Sequence, residues 1–501
     1  MGRRIQGLAV VMALLFSLIL IQLVNIQVVR APSLNNSPYN ARAAQIDQDH
    51  PRGEILAANG APLAISNKAT SGSYLYQRSY PFGPLFSQVV GIDSPIYGKY
   101  GLEASYDGYL KSHTLDPETI GQLLVPKSGT DTITTTVSVG LQALAAKELA
   151  GRDGAVVVLD TRTGAVLAMY SNPTYKPGPL VNPSPAVEAT AWKQATCRAC
   201  NDHGFAALTS LAYQFTFAPG STSKVVTSAA TFDLDPALQY KDYPVISALN
   251  LPQSDKPLHN FAFGSCGGTL PIMLPPSCDT GFAAMGLDLG GSRLATQANR
   301  FGYNQVPPLD LPGVAASSFP TASQMNANQP ELAYSAIGQQ NVGTTALQNA
   351  LIAAGVANKG AVMAPHLVEQ VRDQNGNAVY TWHPHVWKQA MSSGAAALLT
   401  PIMENVAAYG TAAGVFPYNL HVAAKTGTAQ AGYPVVTNTH DWMIAFGPNP
   451  NPQVSVAVVI PWQPISGTGA VVAGPVMRCM MEGAIAYEAH QPVSGTSTTC
   501  P

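Results

Sequence analysis

The chain has 501 residues, room for two or three domains, and 46% of them are hydrophobic, ample for a large core. A net charge of −2 with only 11% charged residues excludes a basic nucleic-acid-binding face. Gly (44) and Pro (40) are spread without a repeat, which excludes low-complexity architecture before the Ser/Thr-rich tail at 491–501, read as a mobile segment.

No charge falls between Arg4 and Arg30, and Gly7 to Ile21 is almost wholly apolar before Gln22, Asn25 and Gln27. That gives an apolar run of ~20 to 23 residues, the length a bilayer core requires. Residues 7–29 are therefore read as a transmembrane anchor. Arg3 and Arg4 hold the 1–6 tail in the cytoplasm by the positive-inside rule, with a single pass through the plasma membrane and everything beyond Val29 outside. A cleaved signal peptide is the competing reading, but Ala41-Arg42-Ala43 sits far downstream for a cleavage site.

Residues 30–137 carry short apolar stretches broken by Gly and Pro, with no nucleophile–base pair. They read as a spacing and partner-docking domain. Asp131 to Val137 is a Thr-rich strand signal, and Ser138 to Leu149 an amphipathic helix with Leu141, Leu144, Ala145 and Leu149 on one side. The boundary of a second domain, 138–490, is placed at this helix. Gly154 to Met169 then reads as a hairpin.

Six cysteines in an exported chain permit disulfides. Cys197 and Cys200 fit a local disulfide or two thiols. A zinc site there needs two more ligands, and only His203 is close, so neither metal nor cofactor is expected. Cys266 and Cys278 are disulfide candidates whose bridge braces the segment around Ser277. Cys479 and Cys500 form a further possible pair.

Three short motifs carry the chemistry. Phe217-Ala218-Pro219-Gly220 is a turn predicted to open a helix with Ser221 in its first turn, and the i, i+3 spacing of Ser221-Thr222-Ser223-Lys224 sets Lys224 on the same face. A serine hydroxyl is a weak nucleophile until a neighbour takes its proton, and an amine partly deprotonated by burial and nearby cations can do so. Ser277-Cys278-Asp279 follows 56 residues after Ser221. Lys425-Thr426-Gly427 follows 148 residues after Ser277, in the strand-like run His421 to Ala429. Lys425 there supplies a fixed cation for a ligand carboxylate and for tuning Lys224, and Gly427 permits close approach of a ligand backbone. Asp441 to Gly447 and Val454 to Val459 read as further strands and Ala470 to His490 as a last helix. Closely connected strands favour an antiparallel sheet with helices on both faces.

The order S-x-x-K, S-x-D, K-T-G resembles the penicillin-binding proteins and serine β-lactamases. The hairpin, Ala336-Ile337-Gly338-Gln339, Thr345 to Gln348 and Asp441 to Pro448 extend the likeness over roughly residues 35 to 490. It is closest to monofunctional class B enzymes of the penicillin-binding protein A type. Arg52 to Leu56, Asn59 to Ala64 and Gly101-Leu102-Glu103 look like that family's N-terminal pedestal. The resemblance implies an α+β domain on a five-stranded antiparallel sheet, and D,D-transpeptidation of peptidoglycan stem peptides through acyl-Ser221, with β-lactams acylating the same serine. It implies Lys224 as base, Ser277 as proton relay, Lys425 and Thr426 as carboxylate binders, and an oxyanion hole from the N–H groups of Ser221 and Thr428. No cofactor is implied. A separate membrane glycosyltransferase within an elongation or division complex is, because no glycan-polymerising motif precedes the pedestal.

Asp279 stands where the family pattern has Asn. It supports an alternative, a membrane-anchored β-lactam sensor or scaffold with little turnover. A D,D-carboxypeptidase or β-lactamase-type hydrolase is the other alternative, but Glu331, Glu369 and Glu404 lack the E-x-x-L-N setting of a deacylating glutamate.

Overall fold

The computed structural model describes residues 2–30, 47–70, 74–114, 128–432, 436–493 and Cys500. Ala41 to Ala43 and 494–499 of the tail lie outside these residues. Helix α1 (Gly2–Val24) continues through a π-turn at Asn25–Val29. The stretch Ile5–Val29 is long and apolar enough to cross a membrane, and its side chains are exposed.

In chain order follow β1 (Ile55–Leu56), β2 (Pro62–Lys68), β3 (Tyr76–Ser79), β4 (Thr132–Thr135), α2 (Val139–Leu149), β5 (Gly154–Asp160) and β6 (Val166–Asn172). Then come α3 (Lys224–Leu234), α4 (Asp279–Arg300), α5 (Ala346–Ala357), β7 (Val368–Arg372), β8 (Ala378–Thr381) and α6 (Ser393–Ala408). Strands β9 (Ala423–Ala431), β10 (Asn438–Gly447) and β11 (Val454–Pro464) and helix α7 (Gly474–Glu488) close the fold. Ser138 caps α2, its hydroxyl accepting from Leu141 N, and Thr345 caps α5 through Gln348 N.

The central sheet runs β6-β5-β11-β10-β9, antiparallel throughout, the five-stranded α+β arrangement expected from the sequence. All seven residues of β5 are buried. Neighbouring side chains on a strand point to opposite faces, so both faces of this sheet are covered. Helix α5 lies over β5, β10 and β11, with Ser455 Oγ donating to Ala350 O, and α2 packs with α7 against the sheet. Strands β10 and β11 run further than the apolar signal suggested, because Thr439 and Gln463 extend the hairpin ladder through their backbones.

The smaller sheet, β8-β7-β4-β1-β2-β3, belongs to the N-terminal region but takes two of its six strands from 368–381. Val371 pairs with Ile133, and Thr136 N donates to Leu367 O at 2.8 Å. A boundary drawn at one point in the sequence near residue 138 therefore cuts through a shared sheet. Arg52 and Glu103, singled out in separate stretches, meet inside this region. Arg52 Nε and Arg78 Nε each reach an oxygen of the fully buried Glu103 at 2.6 Å, and Arg52 Nη1 reaches Asp107 at 2.6 Å. Burial alone would raise the Glu103 pKa, but Arg78 and Arg52 hold it below the ordinary carboxylate value. Removing one partner of such a buried set costs about 3 to 5 kcal/mol, so these charges lock the pedestal in one arrangement.

Candidate active site

Ser221 lies in a 3₁₀ turn, Gly220–Ser223, and the α-helix proper begins at Lys224. The expectation of an α-helical first turn is corrected to this tighter turn, in which residues i and i+3 eclipse and Lys224 is stacked beneath Ser221. The turn is clamped from three sides. Gly220 N donates to Gly338 O at 2.8 Å, Trp442 Nε1 donates to Ala218 O at 2.9 Å, and Phe217 exchanges backbone hydrogen bonds with Thr344 at 2.9 and 2.8 Å. A Cβ on Gly220 would sit 2.9 Å from the carbonyl carbon of Thr428, so β9 passes directly against this turn.

Ser277 occupies the left-handed region at φ 62°, which turns the chain sharply ahead of α4. Its N–H donates to Leu274 O and that of Cys278 to Met273 O, both at 3.0 Å. Cys278, almost fully buried, precedes the first residue of α4, Asp279, and is bridged to Cys266. Cys197 is bridged to Cys200 and Cys479 to Cys500. The first of these bridges removes the thiolates a zinc site would need, and His203 Nδ1 is 2.6 Å from Asp153. Among the described residues no group of three or more His, Cys, Asp or Glu is placed to hold a metal.

The three motifs converge on the Ser277 hydroxyl. Lys425 Nζ donates to Ser277 Oγ at 2.8 Å, and Lys224 Nζ donates to the same oxygen at 3.2 Å, to Ser277 O at 2.6 Å and to Asp279 Oδ1 at 2.6 Å. Both lysines are fully buried. Burial lowers the Lys224 pKa, and Asp279 pushes it part of the way back. Burial, then the neighbouring Lys224 charge, lowers Lys425 well below its ordinary value, with Asp279 opposing. Lys224 is thus ion-paired with Asp279, and burial disfavours the ammonium form of both lysines. The half-buried Ser221 has no side-chain hydrogen bond among the described residues. Lys224 is close in sequence and beneath it, but its ammonium is committed to Ser277 and Asp279. Such contacts commonly tighten only when a substrate is bound.

Gly427 and Thr426 also make contacts within the fold. A Cβ on Gly427 would meet Pro219 O at 2.6 Å and Thr222 Cγ2 at 2.9 Å, so its small size admits the Ser221 turn. Thr426 Oγ1 shares a 2.6 Å hydrogen bond with Thr411 Oγ1, and Thr411 N donates to Pro275 O at 3.0 Å. Thr411 thereby ties the K-T-G strand to the loop carrying Ser277. A lone Thr between two Ala-rich stretches carries no sequence signal. Asp279 is the one carboxylate bonded to this cluster among the described residues. Glu331 is held by Asn341, Glu404 lies on α6, and Glu369 lies in the pedestal sheet.

A buried helix carrying S-x-x-K under the edge strand of a five-stranded antiparallel sheet, with S-x-D and K-T-G meeting it, defines the penicillin-binding and serine β-lactamase-like class of folds. Residues 154–482 match the penicillin binding protein transpeptidase domain, and 52–131 match the penicillin binding protein A dimerisation domain. The chain belongs to the penicillin-binding protein transpeptidase family. It is 33% identical to the peptidoglycan D,D-transpeptidase PbpA of Mycolicibacterium smegmatis, over 97% of this chain and 99% of that one. To PbpA of Mycobacterium tuberculosis it is 30% identical over 97% of this chain and 100% of that one. Its fold is similar to penicillin-binding protein A from M. tuberculosis as a ceftriaxone acyl-enzyme complex, with TM-score 0.79 and 31% identity, covering 88% of this chain and 100% of that chain. The penicillin G acyl-enzyme complex of the same protein gives TM-score 0.76 and 31% identity, over 87% and 99%.

Proposed function

We infer that the chain is a peptidoglycan D,D-transpeptidase that crosslinks stem peptides through an acyl-Ser221 intermediate and is acylated at the same serine by β-lactams. The observation that carries this reading is Ser277 Oγ held between Lys224 and Lys425 at 3.2 and 2.8 Å, beneath the Ser221 turn. Ser221 Oγ attacks the carbonyl of the penultimate D-Ala and gives its proton to Lys224. The backbone N–H groups of Ser221 and Thr428 stabilise the oxyanion; the approach of Thr428 to Gly220 supports that pairing. As the C–N bond breaks, Ser277 passes a proton to the departing D-Ala amine, and Lys224 and Lys425 on either side allow that proton to be replaced. Lys425, Thr426 and Thr428 bind the terminal carboxylate. An amine on a neighbouring strand then attacks the acyl-enzyme and restores Ser221.

By the same reading residues 7–29 anchor the protein in the plasma membrane, with 1–6 cytoplasmic and the catalytic domain outside. Residues 30–137, their sheet completed by 368–381, form a pedestal for docking, the remainder of 138–490 forms the transpeptidase domain, and a separate membrane glycosyltransferase supplies the strands. The test is to incubate purified protein with a D-Ala-D-Ala stem peptide and an acceptor amine and to resolve products by mass. Crosslinked product is expected. Hydrolysed peptide alone would favour the carboxypeptidase reading, and β-lactam acylation with no peptide turnover the sensor reading.

A further inference from the structure

Asp441 is a fully buried acid with no role in the chemistry above. It lies directly opposite Thr428 across the β9/β10 ladder, and directly opposite residues share a face of the sheet. Thr426, two residues from Thr428, lies on that face too. Asp441 Oδ1 has no partner within hydrogen-bond distance, Oδ2 receives a long bond of 3.4 Å from Thr439 Oγ1, and the Thr428 hydroxyl lies near enough to act on the same carboxyl. The turn after β11 closes over the carboxyl: a Cβ on Gly467 would sit 2.6 Å from Oδ2. Gly469 N donates to Thr428 Oγ1 at 3.0 Å. Opposite Asp441, β11 carries one extra residue between Ile460 and Gln463, a bulge of the kind that re-aims side chains beside active sites.

A threonine hydroxyl has one proton and two lone pairs, and Gly469 N–H already occupies one lone pair. If Asp441 is ionised, it accepts the Thr428 proton, leaving Thr428 to face the cleft with a lone pair that repels a ligand carboxylate. If Asp441 is protonated, it donates to that lone pair, and the Thr428 proton is released toward the cleft. We propose that Asp441 is a positioning residue that sets the direction of the Thr428 hydroxyl, so that Thr428 donates to a ligand carboxylate only while Asp441 is neutral. This rests on Thr428 being a carboxylate-binding residue of the transpeptidase site.

Burial pushes the Asp441 carboxyl up to about 6, with the Thr439 and Thr428 hydroxyls pulling back, so the switch falls within working pH. Apart from Asp441, the titratable side chains on β9, β10, β11 and the 465–469 turn are Lys425 and His440. Both have the opposite strand parity to their neighbours Thr426 and Asp441. Lys425 bonds to Ser277, and His440 packs on Phe217 and Trp462.

The test compares acylation by benzylpenicillin, whose carboxylate stays ionised throughout, with acylation by its methyl ester, which has none. The ratio of their second-order rate constants cancels the titration of Lys224, which both reactions share, and comparison with the variants removes that of Lys425, which all the proteins share. In the wild-type protein this ratio is expected to fall about tenfold from about pH 5 to about pH 7, the loss of one charge-assisted hydrogen bond. In Asp441→Asn, where an amide N–H donates to Thr428 at every pH, the ratio should stay level and high, and in Thr428→Val, which has no hydroxyl to direct, it should stay level and low, whereas a fall caused by Lys425 would persist in both variants. A level wild-type ratio, or an equal fall in the wild type and in whichever variant folds, overturns the proposal. If neither compound acylates Ser221 at any pH, the transpeptidase reading itself fails, a result distinct from a level ratio.

Discussion

Replacing Asp279 with Asn tests how the site tunes its base. Lys224 Nζ lies 2.6 Å from Asp279 Oδ1, with the lysine fully buried and the aspartate side chain 19% exposed. Unit charges about 4 Å apart in a partly buried setting interact by roughly 4 kcal/mol, which favours the ammonium. The amide of Asp279→Asn keeps an oxygen acceptor. The net change is therefore the difference between a charge-assisted and a neutral hydrogen bond, about 1 to 2 kcal/mol. That is roughly tenfold in the fraction of Lys224 present as free amine. Lys224 must be deprotonated to accept the Ser221 proton, so acylation rises with pH through the Lys224 titration. Removing the carboxylate lowers the Lys224 pKa further and moves that rise to lower pH. Acylation at neutral pH should therefore be about tenfold faster in the variant, and the two proteins should converge in alkali. Stopped-flow acylation by a chromogenic β-lactam across pH measures this. Equal rates and superimposable profiles would refute the coupling and leave Asp279 as a local helix-terminal contact.

The Cys266–Cys278 bridge closes a short loop beside Ser277, and replacing both cysteines with Ser should cost about 3 kcal/mol in a denaturant titration. Free thiols at both positions in protein made under oxidising conditions would contradict the pairing. Gly338 has φ 73°, and a Cβ there would lie 2.2 Å from Gly220 O. Gly338→Ala should therefore displace the Ser221 turn, slowing acylation and destabilising the fold by roughly 1 to 3 kcal/mol; wild-type acylation rates would contradict that clamp. If Gly7 to Val29 spans the membrane uncleaved, protein from membranes should begin at or near the start of the chain, and protease added to spheroplasts should digest the catalytic domain. A mature N-terminus near Ala43 would identify a signal peptide instead.

The three motifs were legible because each is a short run of unusual residue types whose order survives folding, and the central sheet because its strands are long, apolar and adjacent in sequence. What stayed hidden was non-local. Val368–Arg372 alternates like many short strands, and nothing near it announces that its partner is Ile133, more than two hundred residues earlier. Thr411 and Asp441 act through neighbours that only the folded sheet supplies. Ser277 adopts a backbone conformation that serine does not favour, which the surrounding turn imposes. Gly427 was readable as a point of close approach, but what approaches it, Pro219 and Thr222, depends on how the S-x-x-K turn docks against β9.

The central claim is that Ser221 alone carries the covalent chemistry. Nowhere else among the described residues does a turn-opening serine combine with a buried lysine three residues on and a K-T-G edge strand passing over it. The direct measurement is intact mass followed by peptide mapping after incubation with benzylpenicillin, on the wild-type protein and on Ser221→Ala. The account predicts a single adduct on the peptide containing Ser221, absent from the variant. An adduct that persists in Ser221→Ala, or that maps to another serine such as Ser277, would contradict it.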